Sequence, residues 1–423
     1  MKRRRFISQS TLVTASTIFA SISSKLSAMP SPLNGVKRKI VLRSSWQTIN
    51  IGDIGHTPGV LALCEKHLPN VEVILWASNV DHGVREMLLK RFPDLQIVLR
   101  SETEALEKVF QECDFLLHGS GPWLVASKDI DKWIKKTGKP FGVYGISLPT
   151  TYATDFVISL LNQAEFVFFR DSVSMELARS RNVKAPMMEF GPDGAFGVDL
   201  RDDESALTFM RENGLEDGKF LCVIPRYREV PEYKIPRKNK PFDAEREKYN
   251  ESLKEHDHKP YRDAIIAVTR ETEMKILICP EDMTQMELGK VALYDPLPDD
   301  VKKKTVWKSS FWLTDMALST YVRSAGLFGL EQHSPIMCIG NGIPAFVGRF
   351  PSQTTKGFMW KDIGLGEWYF DSDSKFDMES LVPAVLWMAK NPDKAKEKAL
   401  GAKCLVERRQ EQTMEALKGL LFE

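Results

Sequence analysis

Residues 71–118 read VEVILWASNVDHGVREMLLKRFPDLQIVLRSETEALEKVFQECDFLLH. Three short apolar runs, Val71–Trp76, Gln96–Leu99 and Phe115–His118, flank two stretches, Gly83–Arg91 and Glu102–Glu112, whose apolar residues recur at helical spacing. Near-continuously apolar strands alternating with helices specify a parallel sheet covered on both faces. Outward from this stretch, the alternation starts at Ile40–Arg43 with a helix at Thr57–His67. It continues through strands Phe141–Tyr144 and Phe166–Phe169, with helices Ser127–Lys136, Tyr152–Asn162 and Ser172–Ser180. A Gly/Pro/Asp break, FGPDGAFGVDLRDDES at residues 190–205, closes the first series. A second series then begins. Its strands are Phe220–Ile224, Lys275–Cys279, Thr305–Trp307, Gly326–Gly329 and Pro344–Val347, with helices Tyr261–Glu273, Phe311–Arg323 and Ser334–Ile339. From Met378 onward the chain reads as helix, interrupted near Asn391-Pro392. The expected architecture is α/β: one Rossmann-like domain at 36–200 and a second at 201–423, facing each other across a cleft and closed by helices at 378–423. Residues 226–262 read as a long polar insertion dense in both charge signs, of the kind that serves as a lid, a binding loop or a disordered excursion.

Of 423 residues, 43% are hydrophobic, enough for a sizeable core. With 58 Lys and Arg against 57 Asp and Glu, the net charge of +1 gives no bulk attraction to nucleic acid or anionic lipid. Six cysteines are too few for a disulfide scaffold in a chain of this length, and no CxxC pair offers a zinc site. Cys222, Cys279 and Cys338 lie in apolar runs and read as buried thiols. The first 28 residues have a basic start, a modestly apolar stretch from Thr11 to Ile22 and small residues up to Ala28, the layout of a signal peptide. Within it, Arg3-Arg4-Arg5-Phe6-Ile7 matches the twin-arginine export pattern, which gives an exported, periplasmic or otherwise extracytoplasmic protein. No later run reaches about 18 apolar residues, so the mature chain is expected to have no membrane span.

In doubly wound folds ligands bind beyond the carboxyl ends of the strands, so the loops there are where chemistry is sought. The first strand is followed by SSWQTINIGDIGHTPGV, with Asn50, Gly52, Asp53, Gly55 and His56 leading into a helix, whose N-terminus favours an anion. Phe115–His118 runs into the Gly-rich turn His118-Gly119-Ser120-Gly121. Neither loop is a Walker motif or a dinucleotide fingerprint. Arg170-Asp171-Ser172 follows Phe166–Phe169, and there the guanidinium either is structural or points a carboxylate- or phosphate-binding fork into the cleft. The second half offers Arg226 and Arg228, Glu281 and Asp282, and Glu331-Gln332-His333 in the corresponding loops. A histidine at a strand-to-helix junction is an acid/base candidate because its intrinsic pKa lies near neutrality. His256 and His258, in the charged insertion, read as solvated.

In this order, Asn50-x-Gly52-Asp53, the turn 118–121, GKPFGVYG (138–145), FFRDSVS (168–174), GPDGAF (191–196), His333, Gly342-x-Pro344, Lys356 and Asp362-x-Gly364-Leu365 resemble the polysaccharide pyruvyl transferase family over roughly residues 38–420. The resemblance implies a glycosyltransferase-B-like pair of domains. It also implies transfer of an enolpyruvyl unit from phosphoenolpyruvate to two sugar hydroxyls, forming a cyclic ketal on a polysaccharide or oligosaccharide acceptor. By resemblance His333 is the acid, Arg170 a donor-binding cation with Lys356 in support, and Asp53 a base or hydroxyl ligand; His118 and Gly119 of the Gly-rich turn, with Arg226 and Arg228 of the loop after Phe220–Ile224, are the further candidates to line the substrate site. No metal or organic cofactor is implied, phosphoenolpyruvate being a substrate. One departure bears on the donor. The family's Arg-x-His is Glu331-Gln332-His333 here, and a carboxylate at this point repels an anionic donor, so weak binding of phosphoenolpyruvate is expected. Two other functions fit the same residues. One is an exported enzyme that cleaves a pyruvylated or otherwise acidic sugar, with Glu331 and His333 as an acid/base pair. The other is a non-catalytic carbohydrate-binding protein using Trp46, Trp123 or Trp312. Replacing Arg3 and Arg4 by Lys is expected to strand the protein in the cytoplasm, read by fractionation; a wild type already confined there would refute export.

Overall fold

A computed structural model of the chain describes residues 37–422. The expected signal segment, residues 1–28, lies outside them. Thirteen strands form two all-parallel sheets. The first contains β1 (Arg38–Ser44), β2 (Val71–Ala77), β3 (Gln96–Leu99), β4 (Phe115–His118), β5 (Phe141–Ile146), β6 (Phe166–Phe169) and β7 (Met187–Phe190), in the spatial order 3-2-1-4-5-6-7. The second contains β8 (Phe220–Ile224), β9 (Lys275–Ile278), β10 (Thr305–Trp307), β11 (Gly326–Gly329), β12 (Ala345–Arg349) and β13 (Tyr369–Asp371), ordered 10-9-8-11-12-13. Strand order reverses between β1 and β4 in the first sheet and between β8 and β11 in the second. Those switch points open the crevices in which doubly wound proteins hold ligands.

Both sheets belong to one compact unit that begins at Arg38. A single apolar cluster runs from Ile40 and Leu42 in β1 through β8, β11 and β12 to Met414, Leu417 and Leu421 near the C-terminus. The outer face of the first sheet buries a second cluster around Val41, Trp76, Trp133 and Phe169. The helix Ile51–His67 joins the halves. Its Gly59 lies so close to the turn Gly194–Gly197 that a Cβ there would fall 1.9 Å from the Gly194 carbonyl oxygen. The backbone N–H of Ile51 donates to the Glu281 carbonyl oxygen (2.9 Å), and Thr314 Oγ1 donates to that of Ile51 (2.8 Å). At the far end the helices Lys375–Lys390 and Pro392–Phe422 break at Asn391-Pro392, as the sequence predicts. The second of them returns to the first sheet, where Arg409 contacts Glu189 (3.0 Å) and the Phe190 carbonyl (2.5 Å). Cys222, Cys279 and Cys338 are buried thiols, and Trp312 is core, its Nε1 donating to the Pro280 carbonyl.

The insertion differs from its expected form. Instead of a loop giving way to helix at Tyr261, a 28-residue helix begins at Ala244, capped by Asp243, and continues through Pro260 to Glu271. It packs on the helix Lys375–Lys390. Its buried stripe is Asn250, Asp257, His258, Tyr261, Ala264, Ile265 and Val268. The spacing is helical, but the first three are polar, so a search for apolar periodicity passes over them. His258 is correspondingly not solvated: it is buried, Nδ1 lies 2.7 Å from the Lys254 carbonyl, and burial holds its pKa below the ordinary value.

Gly59→Ala is expected to destabilise the protein by at least the ~1–3 kcal/mol typical of overpacking, since the obstructing atom is backbone. Thermal denaturation checks it; an unchanged midpoint would mean that the helix does not pack this tightly.

Candidate active site between the two sheets

Asn50 caps the helix Ile51–His67, its Oδ1 accepting from the N–H groups of Gly52 (2.7 Å) and Asp53 (3.0 Å). This cap places Asp53 in the first turn and His56 three residues on, on the same face. Gly52 lies directly against His333, with room for no side chain: a Cβ there would sit 2.1 Å from the His333 Cβ. His333 opens the helix His333–Gly340 just past β11. The two switch points thus meet, bringing Asp53 and His56 of one half against His333 of the other. The imidazoles of His56 and His333 stand edge to face with centroids 4.8 Å apart.

Behind His56 lies a buried polar network. Its Nδ1 is 2.9 Å from Asp193 Oδ1 and 2.7 Å from Ser120 Oγ. A carboxylate only accepts, so in the neutral ring the proton belongs on Nδ1 and the lone pair on Nε2. Nε2 is fully buried and has no hydrogen-bond partner among the described residues; Asp53 Oδ1 is 3.9 Å away. Asp193 also receives Arg170 Nη1 (2.5 Å) and the Ala195 N–H (2.9 Å), while Arg170 Nε donates to Ser147 Oγ (2.9 Å). Burial would raise the Asp193 carboxyl, but His56 and Arg170 outweigh it and hold the pKa well below the usual value. Arg170, expected to face the donor, is thus wholly buried and engaged with Asp193, leaving Nη2 without a hydrogen-bond partner among the described residues.

On the other side, Glu281 Oε2 accepts the Ser334 N–H (2.6 Å) and Oε1 lies 3.3 Å from His333 Nδ1. Lys356 Nζ is 3.0 Å from His333 Nε2, its one hydrogen-bonding residue among those described. Burial and Arg170 lower the Lys356 pKa to about 8, and burial, Lys356 and His56 hold that of His333 well below its ordinary value. Burial alone would raise the Asp53 carboxyl, yet His333, His56 and Lys356 keep it low, and the Gln47 side chain contacts it. Glu331 is buried in close contact with Arg226 and accepts from Gln285 Nε2 (2.6 Å). Burial, opposed by Arg226 and reinforced by Glu281, brings its pKa up to about 7.

Arg228 is instead held by Asp257 (2.8 Å) and Asp373, with its guanidinium over Phe350. His118 is buried beneath Trp46 (centroids 5.1 Å apart), its pKa pushed down to about 3 by burial and Arg43, and its Nε2 accepts the Ala126 N–H (3.3 Å). Gly119 packs against the Ser44 side chain, 3.0 Å from where its Cβ would be. His118 and Gly119 therefore shape the turn that positions Ser120. Four carboxylates, Asp53, Asp193, Glu281 and Glu331, surround three cations, Arg170, Arg226 and Lys356. Sequence reading named most of these groups but missed His56, Asp193 and Glu281 as site residues, although all three lie in loops it singled out. It also saw no metal-ligand spacing, whereas Asp53, His56 and His333 each bring a ligand atom within 4.8 Å of the others.

Two crossing-wound parallel sheets with a returning C-terminal helix, and a polar site where their switch points meet, define a glycosyltransferase-B-like protein. Solved structures with this fold include a putative UDP-N-acetylglucosamine 2-epimerase from Listeria monocytogenes (TM-score 0.58, 13% identity, covering 90% of this chain and 96% of that one). The UDP-GlcNAc 2-epimerase of Neisseria meningitidis bound to UDP-GlcNAc also matches (0.55, 11%, 90% and 100%), as does Anabaena HepE in complex with UDP-glucose (0.55, 9%, 90% and 99%). A sequence comparison with curated proteins finds no significant match. The family profile of polysaccharide pyruvyl transferase matches residues 50–347, a span that begins at the Asn50 cap and includes Arg170, Arg226 and His333. The chain belongs to the polysaccharide pyruvyl transferase family.

Asp193→Ala should cost on the order of 3–5 kcal/mol, the usual penalty for removing one partner of a buried ion pair, because it strands Arg170. Chemical denaturation measures this directly, and a loss under about 1 kcal/mol would show that Arg170 finds another partner or solvent.

Proposed function

We propose that this protein transfers a pyruvyl group from phosphoenolpyruvate to two hydroxyls of a sugar in a cell-surface or extracellular polysaccharide. The observation that supports this best is the contact of the Lys356 ammonium with the His333 imidazole at 3.0 Å, opposite Asp53. An anion-binding cation beside a proton carrier is what the donor's chemistry needs. The methylene carbon takes a proton, two sugar oxygens bond to the neighbouring carbon, and the bond from that carbon to the phosphate oxygen breaks. One hydroxyl proton ends on the new methyl group and the other leaves with phosphate. In this reading His333 delivers the proton to carbon, Asp53 receives a hydroxyl proton, and Lys356 with Arg226 holds the donor's charge.

Glu331 occupies Arg226, so the donor must compete with a carboxylate for that guanidinium. Affinity in the millimolar range follows. Reversing the charge at this position would set two guanidinium groups side by side, whereas Glu331→Gln keeps the shape and frees Arg226. A charge-assisted hydrogen bond is worth ~1.5–3 kcal/mol, so Glu331→Gln is expected to bind phosphoenolpyruvate roughly 10–150-fold tighter by calorimetry. His333→Ala is expected to cut phosphate release roughly 10²–10⁴-fold with little change in thermal stability. Pyruvate release from a pyruvylated polysaccharide, without phosphate release from phosphoenolpyruvate, would replace transfer with ketal cleavage. Export of the folded enzyme belongs to the same proposal and is supported by residues 3–7.

A further inference from the structure

Two features of the site play no part in proton transfer or donor binding. The first is the fully buried, unpartnered Nε2 of His56, a costly arrangement for a polar atom unless something occupies the space before it. The second is a carboxylate behind each imidazole: Asp193 Oδ1 at 2.9 Å from Nδ1 of His56, and Glu281 Oε1 at 3.3 Å from Nδ1 of His333. Metal-binding histidines characteristically donate one ring N–H to a carboxylate, which fixes the tautomer and makes the other nitrogen a better ligand. His56 does so through Asp193, Glu281 Oε1 stands beside the His333 ring without accepting from it, and Asp53 adds an oxygen.

We infer that Asp53, His56 and His333 form a binding site for a divalent transition metal ion of the zinc class. Two imidazole nitrogens and one carboxylate oxygen suit zinc and its neighbours far better than magnesium or calcium, which prefer all-oxygen shells. The ligand atoms lie within 4.8 Å of one another, with Asp53 Oδ1 and His56 Nε2 at 3.9 Å. Ligands at ~2.0–2.1 Å around a tetrahedral ion stand about 3.3 Å apart, so side-chain adjustments of about an ångström complete the site. The competitor is Lys356, whose ammonium rests against His333. Its four-carbon stem lets it withdraw as the metal enters. The metal takes the imidazole lone pair that a proton would otherwise take, so a loaded site and proton delivery by His333 exclude each other. Zinc is therefore an inhibitor of any proton transfer at His333.

Titration of zinc chloride into the untagged full-length protein tests this without donor or acceptor, so its outcome is independent of the transferase reading. One equivalent is expected to bind. His56→Asn keeps a donor for Asp193 and removes Nε2, and Asp53→Asn removes an anionic ligand. Loss of a group that only hydrogen-bonds to a ligand costs ~10–100-fold, so each variant should weaken binding at least ~10-fold. Lys356→Gln, which removes the competing charge, should tighten it. Absence of binding by the wild type, the result if a water fills the space before His56, overturns the inference. So does binding of equal strength by the wild type, His56→Asn and Asp53→Asn, which would put the ion elsewhere.

Discussion

The Asp193 carboxylate is the interaction on which the rest of the site depends. It is wholly buried, and an isolated charge there would be prohibitive, but it accepts from Arg170, His56 and the Ala195 N–H at once. These partners come from the end of β6, from the helix after β1 and from the turn after β7. Ser120, in the turn after β4, adds its hydroxyl to both His56 and the Gly194 N–H. The carboxyl edge of the first sheet is thereby tied together around one charge, and the His56 ring is fixed with Nε2 toward the second half.

The second half answers with its own anchor. Glu281, in the loop after β9, accepts the Ser334 N–H in the first turn of the His333 helix and stands beside the His333 ring. Its backbone carbonyl receives the Ile51 N–H, so the same residue holds the other domain's helix in register. The two switch points are therefore held against each other by hydrogen bonds as well as by the shared apolar core. Gly52 and Gly59 make that approach possible, since neither position has space for a side chain.

Much of this was legible in the sequence. The strand runs such as Val71–Trp76 and Phe220–Ile224 are apolar throughout because both faces are covered, and they appear as strands where expected. The edge strands β7 and β13 escaped notice: MMEF and YFD are short and only partly buried. The helix 244–271 was half hidden because its buried stripe is polar at Asn250, Asp257 and His258. At the site, Asp53, Lys356 and His333 could be named from motifs. The pairing of Glu331 with Arg226 could not, because it joins loops after β11 and β8 that only the sheet order makes neighbours. Arg170 shows the converse: its motif was visible, but its engagement with Asp193 depends on where residues 191–196 cross the strand ends.

The account rests on a donor anion lying between Lys356 and Arg226, against His333. A crystal structure of the protein grown with phosphoenolpyruvate tests that most directly. The account predicts density for the donor with its phosphate or carboxylate within hydrogen-bond distance of Lys356 Nζ, and its methylene carbon facing the His333 ring. Donor density elsewhere, with Lys356 still resting on His333, would contradict it.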